Sequence, residues 1–299
     1  MDSVIEAEQL TKSYGKSRGI EDLTLSVRKG EIFGFLGPNG AGKTTTIRTL
    51  LDLLHPTSGS ATIFGLDSRR DSIAIRARTG NLPGDFAFED RVTGHQLLRL
   101  FANLRGMSDL GSAADLADRF KADLSKPLRE LSRGNRQKIG LIQALFHEPD
   151  LLILDEPTGG LDPLMQEEFL TVVAEHRDRG ATVFLSSHDL AEVERICDRV
   201  GIIRAGRLAA VESVSEMREH AYRDVVVRFA EPVSLADFEA LPEIEQIVVS
   251  DDTLSFRSLG GLDAAIKAIA SHSVIDIEIK RPTLEELFLT YYDGSGDRS

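Results

Sequence analysis

Eight residues near the start of the chain, Gly37-Pro38-Asn39-Gly40-Ala41-Gly42-Lys43-Thr44, constrain its fold more than any other feature. They follow a continuous apolar run, Ile32 to Leu36, suited to a strand buried on both faces. They precede a segment with helical spacing from Thr44 to Leu54, which stops before the turn cluster His55 to Gly59. A buried strand, a G-x₄-G-K-[ST] loop and a helix in that order form a phosphate cradle. The glycines let the backbone curl until its N–H groups converge on phosphate oxygens, aided by the helix N-terminus. The expected phosphate-binding set is Gly37, Pro38, Asn39, Gly40, Ala41, Gly42, Lys43, Thr44 and Thr45. Lys43 is expected to reach the β- and γ-phosphates and Thr44 to ligate Mg²⁺.

A second apolar run, Leu151 to Leu154, ends in Asp155-Glu156. Asp155 at a strand end is placed to hold Mg²⁺, and Glu156 to polarise an attacking water. Further strands are predicted at Val4 to Glu8, Leu23 to Val27, Ala61 to Phe64 and Thr182 to Leu185, with a hairpin across Ala205-Gly206. Thr93 to Phe146 has a mostly helical pattern, broken near Gly106, Gly111 and Pro127. Strand–helix alternation with an inserted helical block predicts an α/β domain over residues 1–211, the insertion spanning about 84–147. Residues 212–299 change pattern to β-α-β-β-α-β, the ferredoxin-like order, and predict a small α+β domain. A last helix is expected from Thr283, where Glu286 fits a capping box.

Tyr14, the phosphate loop, Leu131-Ser132-Arg133-Gly134-Asn135, Asp155-Glu156, Gly160-Leu161-Asp162 and His188 together resemble the ATP-binding subunit of ABC transporters, in order and spacing, from about residue 4 to 211. That resemblance implies a P-loop ATPase fold with a helical subdomain, ATP and Mg²⁺ as cofactors, and a dimer of two copies sandwiching two nucleotides. It implies that Tyr14 stacks on adenine with Ile20 near the same ring. Ser132 and Gly134 would contact the γ-phosphate held by the second copy, Asp162 would communicate across the dimer, and His188 would touch the γ-phosphate and orient water. Glu156, His188 and Lys43 are the implied catalytic residues; Thr44 and Asp155 are the implied metal ligands. The stretch Lys280 to Leu289 resembles the C-terminal extension of ABC-2 type exporter ATPases, which implies a separate integral-membrane permease as partner.

Two positions depart from the family pattern. The signature is usually Leu-Ser-Gly-Gly-Gln, whereas here Arg133 and Asn135 replace a glycine and the glutamine. Gly84 stands where many members carry a glutamine, with Asp85 as a candidate substitute. Nucleotide binding is therefore expected, and the hydrolysis rate is left open. An ATP-gated regulatory module with little turnover is one alternative, and a soluble ATPase acting on nucleoprotein is another.

Composition narrows the partners. Of 299 residues, 35 are basic and 48 acidic, and from Val211 onward there are 8 basic and 18 acidic residues. An acidic tail and a near-neutral body supply no broad basic field, so no nucleic-acid partner is expected. Cys197 is the lone cysteine and excludes an intrachain disulfide. No run of about 18 apolar residues suggests a membrane span, and the first 30 residues show no secretory signal. The expectation is a soluble cytoplasmic protein, peripheral on the cytoplasmic face of the cell membrane.

Overall fold

The computed structural model describes residues 2–15, 17–85, 91–219, 222–238, 241 and 243–282. The chain forms two compact units, 1–212 and 213–299. Each is described by itself.

In chain order the first unit runs β1 (Ser3–Tyr14), β2 (Ser17–Arg28), β3 (Ile32–Leu36), α1 (Lys43–Leu50), β4 (Ser58–Ile63), β5 (Leu66–Asp67), α2 (Ser72–Ala77) and β6 (Thr79–Leu82). It continues through α3 (Gly94–Leu104), α4 (Ala113–Arg119), α5 (Arg133–Leu145), β7 (Leu151–Asp155), α6 (Pro163–Asp178), β8 (Thr182–Ser187), α7 (Leu190–Ile196), β9 (Arg199–Arg204) and β10 (Arg207–Ser213). These strands make two sheets. One is antiparallel, in the order β2-β1-β4-β5; the other has the order β10-β9-β3-β8-β7-β6. Within the second, β9, β3, β8, β7 and β6 pair in parallel.

The sequence explains the difference between the sheets. In β1 Ile5, Ala7 and Leu10 are buried while Glu6, Glu8 and Gln9 between them are exposed, as a half-exposed strand requires, and Val4 at its start is buried as well. The period slips by one between Ala7 and Leu10, where Gln9 takes φ +48° and the register shifts. Strands β3, β7 and β8 are buried along their whole length. Ile47 and Leu50 of α1 share one core with Ile5 and Leu25 of the antiparallel sheet and Phe33, Ile153 and Phe184 of the parallel one. Phe184 sits 5.8 Å from Phe33 and 5.4 Å from Phe35, ring centre to ring centre. Each such buried ring contributes about 1.5–3 kcal/mol. Helix α1 ends four residues before the expected Leu54: Asp52 turns left-handed at φ +57°, and Arg48 O accepts the N–H groups of both Leu53 and Leu54.

The helical block is α3, α4 and α5. A reciprocal capping box starts α3, with Thr93 Oγ1 accepting from the Gln96 N–H and Gln96 Oε1 from the Thr93 N–H. Arg119 on α4 grips Glu168 and Glu175 of α6 at 2.6 and 2.7 Å.

The second unit contains α8 (Val214–Glu219), β11 (Arg223–Phe229), β12 (Ile244–Ser250), β13 (Thr253–Ser258), α9 (Asp263–Ile269) and β14 (Val274–Lys280). Its sheet order is β12-β13-β11-β14, with every neighbour antiparallel. Val225, Val227, Phe229, Leu254 and Phe256 face Phe238, Ala265 and Ile269 in its core. The helix expected over Leu235 to Ala240 is instead a single 3₁₀ turn at Leu235–Asp237, with the Ser234 hydroxyl accepting from the Ala236 N–H. Glu239 and Ala240 lie outside the described residues, as does the helix expected from Thr283.

His147, just past α5, buries both ring nitrogens with no close hydrogen-bond partner among the described residues, the Thr79 backbone being the nearest such group, and packs edge-on against Phe146. Burial, with Arg105 nearby, pushes its pKa down to about 4. An unfolded histidine binds its proton near pH 6.5, so between pH 6.5 and 4 the unfolded chain holds the extra proton. Stability should fall as pH drops through that window, by up to about 1.4 kcal/mol per unit. Urea denaturation from pH 7.5 to 4.5 should show this loss for the wild type and a shallower one for His147→Phe.

Candidate functional site

The site is assembled where β3, β7 and β8 end side by side. Parallel pairing sets Leu36 opposite Ser187 and Asp155 opposite Ser186, so the loops leaving all three strands emerge together. From β3 the chain curls through Gly37 to Gly42 into α1. Gly37 admits no side chain, because a Cβ there would lie 2.5 Å from Ile203 O. Gly42 has φ +117°, and a Cβ on it would press Ile20 and Ile203 at 3.0 Å. Lys43 is almost fully buried; its ammonium donates to Gly37 O at 2.7 Å and Pro38 O at 3.4 Å, bracing the curled loop. Pro38, Asn39 and Gly40 are exposed at the loop tip, and Ala41 is buried. The Thr45 carbonyl accepts from the Thr49 hydroxyl inside α1.

The carboxylates follow from β7. Asp155 is buried, accepting from Thr44 Oγ1 at 2.7 Å and from Ser186 Oγ at 2.5 Å. Glu156 leaves the strand in a left-handed conformation, φ +49°. Its N–H donates to Ser186 O and Ser186 Oγ, while its carbonyl accepts from Gln137 Nε2 at 3.3 Å and from the Gly159 N–H. Pinned so, its carboxylate meets Lys43 Nζ at 3.1 Å and His188 Nδ1 at 3.0 Å. Lys43, Thr44, Asp155, Glu156 and His188, separated by up to 145 positions in sequence, thus form one contact network.

Tyr14 ends β1 with its ring 44 % exposed and Lys12 Nζ 5.5 Å from its centre. Ile20 is buried under Gly42 and lines a cavity of about 260 Å³ with Lys12, Gly19, Glu21 and Ala205. The signature residues stand on the other side of the Glu156 loop. Ser132 caps α5 by accepting from the Asn135 N–H. Gly134 lies so close to Gly160 that a Cβ would approach its carbonyl oxygen to 2.7 Å, and Arg133 runs alongside Gly160. Asn135 turns its amide toward Asp123, accepting from its N–H and donating to its carbonyl, both at 3.0 Å. Asp162 caps α6 by accepting from the Met165 N–H. A Cβ on Gly84 would sit 2.9 Å from Asp155 Oδ2, so this backbone runs against the carboxylate; Asp85 next to it is exposed.

Sequence reading did not single out Ser186 or Gln137. Ser186 bonds both Asp155 and Glu156, and Gln137 bonds the carbonyls of Glu156 and Pro157. The available signal was a fully buried polar pair, Ser186-Ser187, closing an apolar strand. Thr44 and Asp155 present a hydroxyl and a carboxylate, both hard oxygen donors, 2.7 Å apart. One hydroxyl and one carboxylate fit Mg²⁺, which takes few protein ligands and completes its shell with phosphate and water.

A glycine-curled loop, its lysine and a strand-end Asp-Glu pair define a P-loop nucleotide triphosphatase. The family described as ABC transporter matches residues 20–159. The bacitracin transport ATP-binding protein BcrA of Enterococcus faecalis is 36% identical over 223 residues, covering 73% of this chain and 72% of that protein. The daunorubicin resistance ATP-binding protein DrrA3 of Streptomyces coeruleorubidus is 34% identical over 304 residues, covering 96% and 95%. A solved ATP-binding subunit of an ABC transporter superposes with a TM-score of 0.67 at 32% identity, over 72% of this chain and 92% of that one. A dimeric bacterial ABC transporter cassette shares the fold, with a TM-score of 0.65 at 21% identity, over 70% and 98%. The chain belongs to the ATP-binding subunits of ABC transporters, the ATP-hydrolysing components of these assemblies. No helix among the described residues is long and apolar enough to cross a membrane.

Removing the Ser186 hydroxyl frees Asp155 Oδ1 and loosens the Glu156 peptide at once. Ser186→Ala should lower kcat for ATP by about tenfold or more while KM changes less than about threefold, since the phosphate loop and Lys43 are untouched. Steady-state phosphate release measures both.

Proposed function

We propose that this chain is the motor subunit of an ABC-2 type exporter, peripheral on the cytoplasmic face of the membrane, where two copies close around two ATP molecules. The observation that carries this reading is the convergence of Lys43 and His188 on the two oxygens of Glu156, beside the Thr44–Asp155 pair. Lys43 would exchange its carbonyl and carboxylate partners for the β- and γ-phosphates. Glu156 would accept a proton from the attacking water, with His188 orienting that water and touching the γ-phosphate. Thr44 and Asp155 would hold Mg²⁺, which supplies charge neutralisation to the phosphates. Tyr14 would stack on adenine, with Ile20 behind it. Ser132 and the N–H groups near Gly134 open α5, where the helix dipole favours an anion, and they would clasp the γ-phosphate on the second copy. Asp162 would sense that copy. Likeness to bacitracin and daunorubicin proteins supports export of a drug-like or lipid-like substrate.

A groove of about 630 Å³ supports the permease as partner. Leu51, Leu53, Ile73, Phe101 and Leu104 line it, with Thr79, Asn81 and Pro83 of the β6 segment. Ile73 is 80 % and Leu104 73 % exposed, more than a solvated surface favours for side chains of this size. Arg105 anchors its wall by donating to Ala77 O and Thr79 O, both at 3.0 Å. A short amphipathic helix from the permease would bury these side chains.

Glu156→Gln should trap an ATP-bound dimer on a sizing column, whereas the same variant carrying Lys43→Ala should elute as a monomer; an E156Q protein that stays monomeric with ATP counts against the sandwich. Ile73→Glu with Leu104→Glu should leave basal ATPase activity within about twofold and abolish co-purification with a six-span membrane protein from detergent extracts.

A further inference from the structure

Two hydroxyls flank the catalytic segments and converge on one buried atom. Thr158 lies two residues past Glu156, and Ser187 lies one residue before His188. Thr158 Oγ1 donates to Glu192 Oε2 at 3.2 Å, and Ser187 Oγ donates to the same oxygen at 2.8 Å. Glu192 belongs to the first turn of α7 and is 7 % exposed. Its backbone is fixed by Asp189, whose carboxylate accepts the N–H groups of Ala191 and Glu192. The Ser187 hydroxyl also accepts from the Asp189 N–H at 2.9 Å, which orients it toward Glu192. The second carboxyl oxygen, Oε1, is buried without a partner among the described residues.

This arrangement is costly for a fold to keep. A buried carboxyl with one orphan oxygen loses solvation that two hydroxyl donors only partly replace. Helix capping does not account for it, because Asp189 already caps α7. What the carboxyl achieves is a cross-strap between the loop after β7 and the end of β8, with Glu156 and His188 meeting 3.0 Å apart at the strapped end. We propose that Glu192 is a positioning residue for ATP hydrolysis, accepting both hydroxyls so that the segments bearing Glu156 and His188 keep their spacing.

The inference rests on the roles given above to Glu156 and His188. Both donors are neutral, so the task calls for an acceptor and not for a charge. Burial, reinforced by Asp189 and opposed by Ser187, Thr158 and His188, raises the Glu192 pKa, in keeping with that task. A glutamine offers the same acceptor oxygen; an alanine offers none.

The test is steady-state ATP hydrolysis by the full-length protein. Glu192→Ala should lower kcat by about tenfold or more with KM for ATP within about twofold, and Glu192→Gln should restore kcat to within about threefold of wild type. The nitrogen-15 shifts of the His188 ring, assigned with His188→Ala, should move in E192A and stay in E192Q. If E192A fails to fold, Thr158→Val and Ser187→Ala must each lower kcat with KM unchanged. Wild-type turnover in E192A, or in both hydroxyl variants, overturns the proposal, as does an E192Q protein as slow as E192A. Glu156→Gln serves as the control: if it hydrolyses ATP at the wild-type rate, the underlying assignment of the site fails, whereas an inactive E156Q beside a fully active E192A sinks the strap alone.

Discussion

Everything in the site depends on the parallel register of three strands. Leu36 faces Ser187 across β3 and β8, and Asp155 faces Ser186 across β8 and β7. A slip of one residue would turn each side chain to the opposite face of the sheet. Asp155 would then lose Thr44 and Ser186 together. Continuous burial of Ile32 to Leu36, Leu151 to Asp155 and Thr182 to Ser187 anchors these strands on both faces, and the stacked rings of Phe33 and Phe184 key one to the next. Apolar packing thus sets the position of polar groups that could not set it themselves, because the buried hydroxyls and carboxylates each contribute little net stability.

Around that frame the polar groups are over-determined. The Glu156 peptide is held through its N–H by Ser186 and through its carbonyl by Gln137, from two different elements. Gly134 abuts Gly160, so the helix bearing the signature leans on the same loop. Asn135 gives its amide to Asp123 and serves the fold of the helical block. This explains how a shorter amide is tolerated where the family usually has glutamine. Gly84 is the opposite case: its backbone occupies space beside Asp155 that leaves no room for a Cβ without a shift.

Elements whose residues act through one-dimensional pattern were legible in the sequence. The runs Ile32 to Leu36 and Leu151 to Leu154 fold as predicted, the glycine loop lies between strand and helix, and the Ala205-Gly206 turn takes φ +49° and +83° as a tight hairpin should. The strand order of the second unit, β12-β13-β11-β14, has the split βαβ arrangement that its β-α-β-β-α-β pattern implied. Less was legible where periodicity fails. Both β1 and β2 run twelve residues, longer than the runs visible in sequence, because left-handed residues, Gln9 in β1 and Asp22 in β2, break the alternation. The Leu235 segment has helical spacing, yet its described part closes as one 3₁₀ turn capped by Ser234. Ser186, Gln137 and Glu192 escaped notice for a different reason. Each matters through a neighbour brought close by the sheet, and no local pattern encodes that neighbour.

The backbone angle of Glu156 has a consequence of its own. A non-glycine residue at φ +49° costs about 1–2 kcal/mol relative to an ordinary conformation, and glycine enters that region most easily, with asparagine and aspartate next. Backbone preference alone therefore favours glycine here, while the chemistry assigned to the position demands a carboxylate of glutamate's reach. A chain drifting under selection for robustness alone would gain rigidity at this point and fall silent as a motor. What sets Glu156 apart from the chain's other left-handed residues is that its strained backbone carries a carboxylate bonded to both Lys43 and His188.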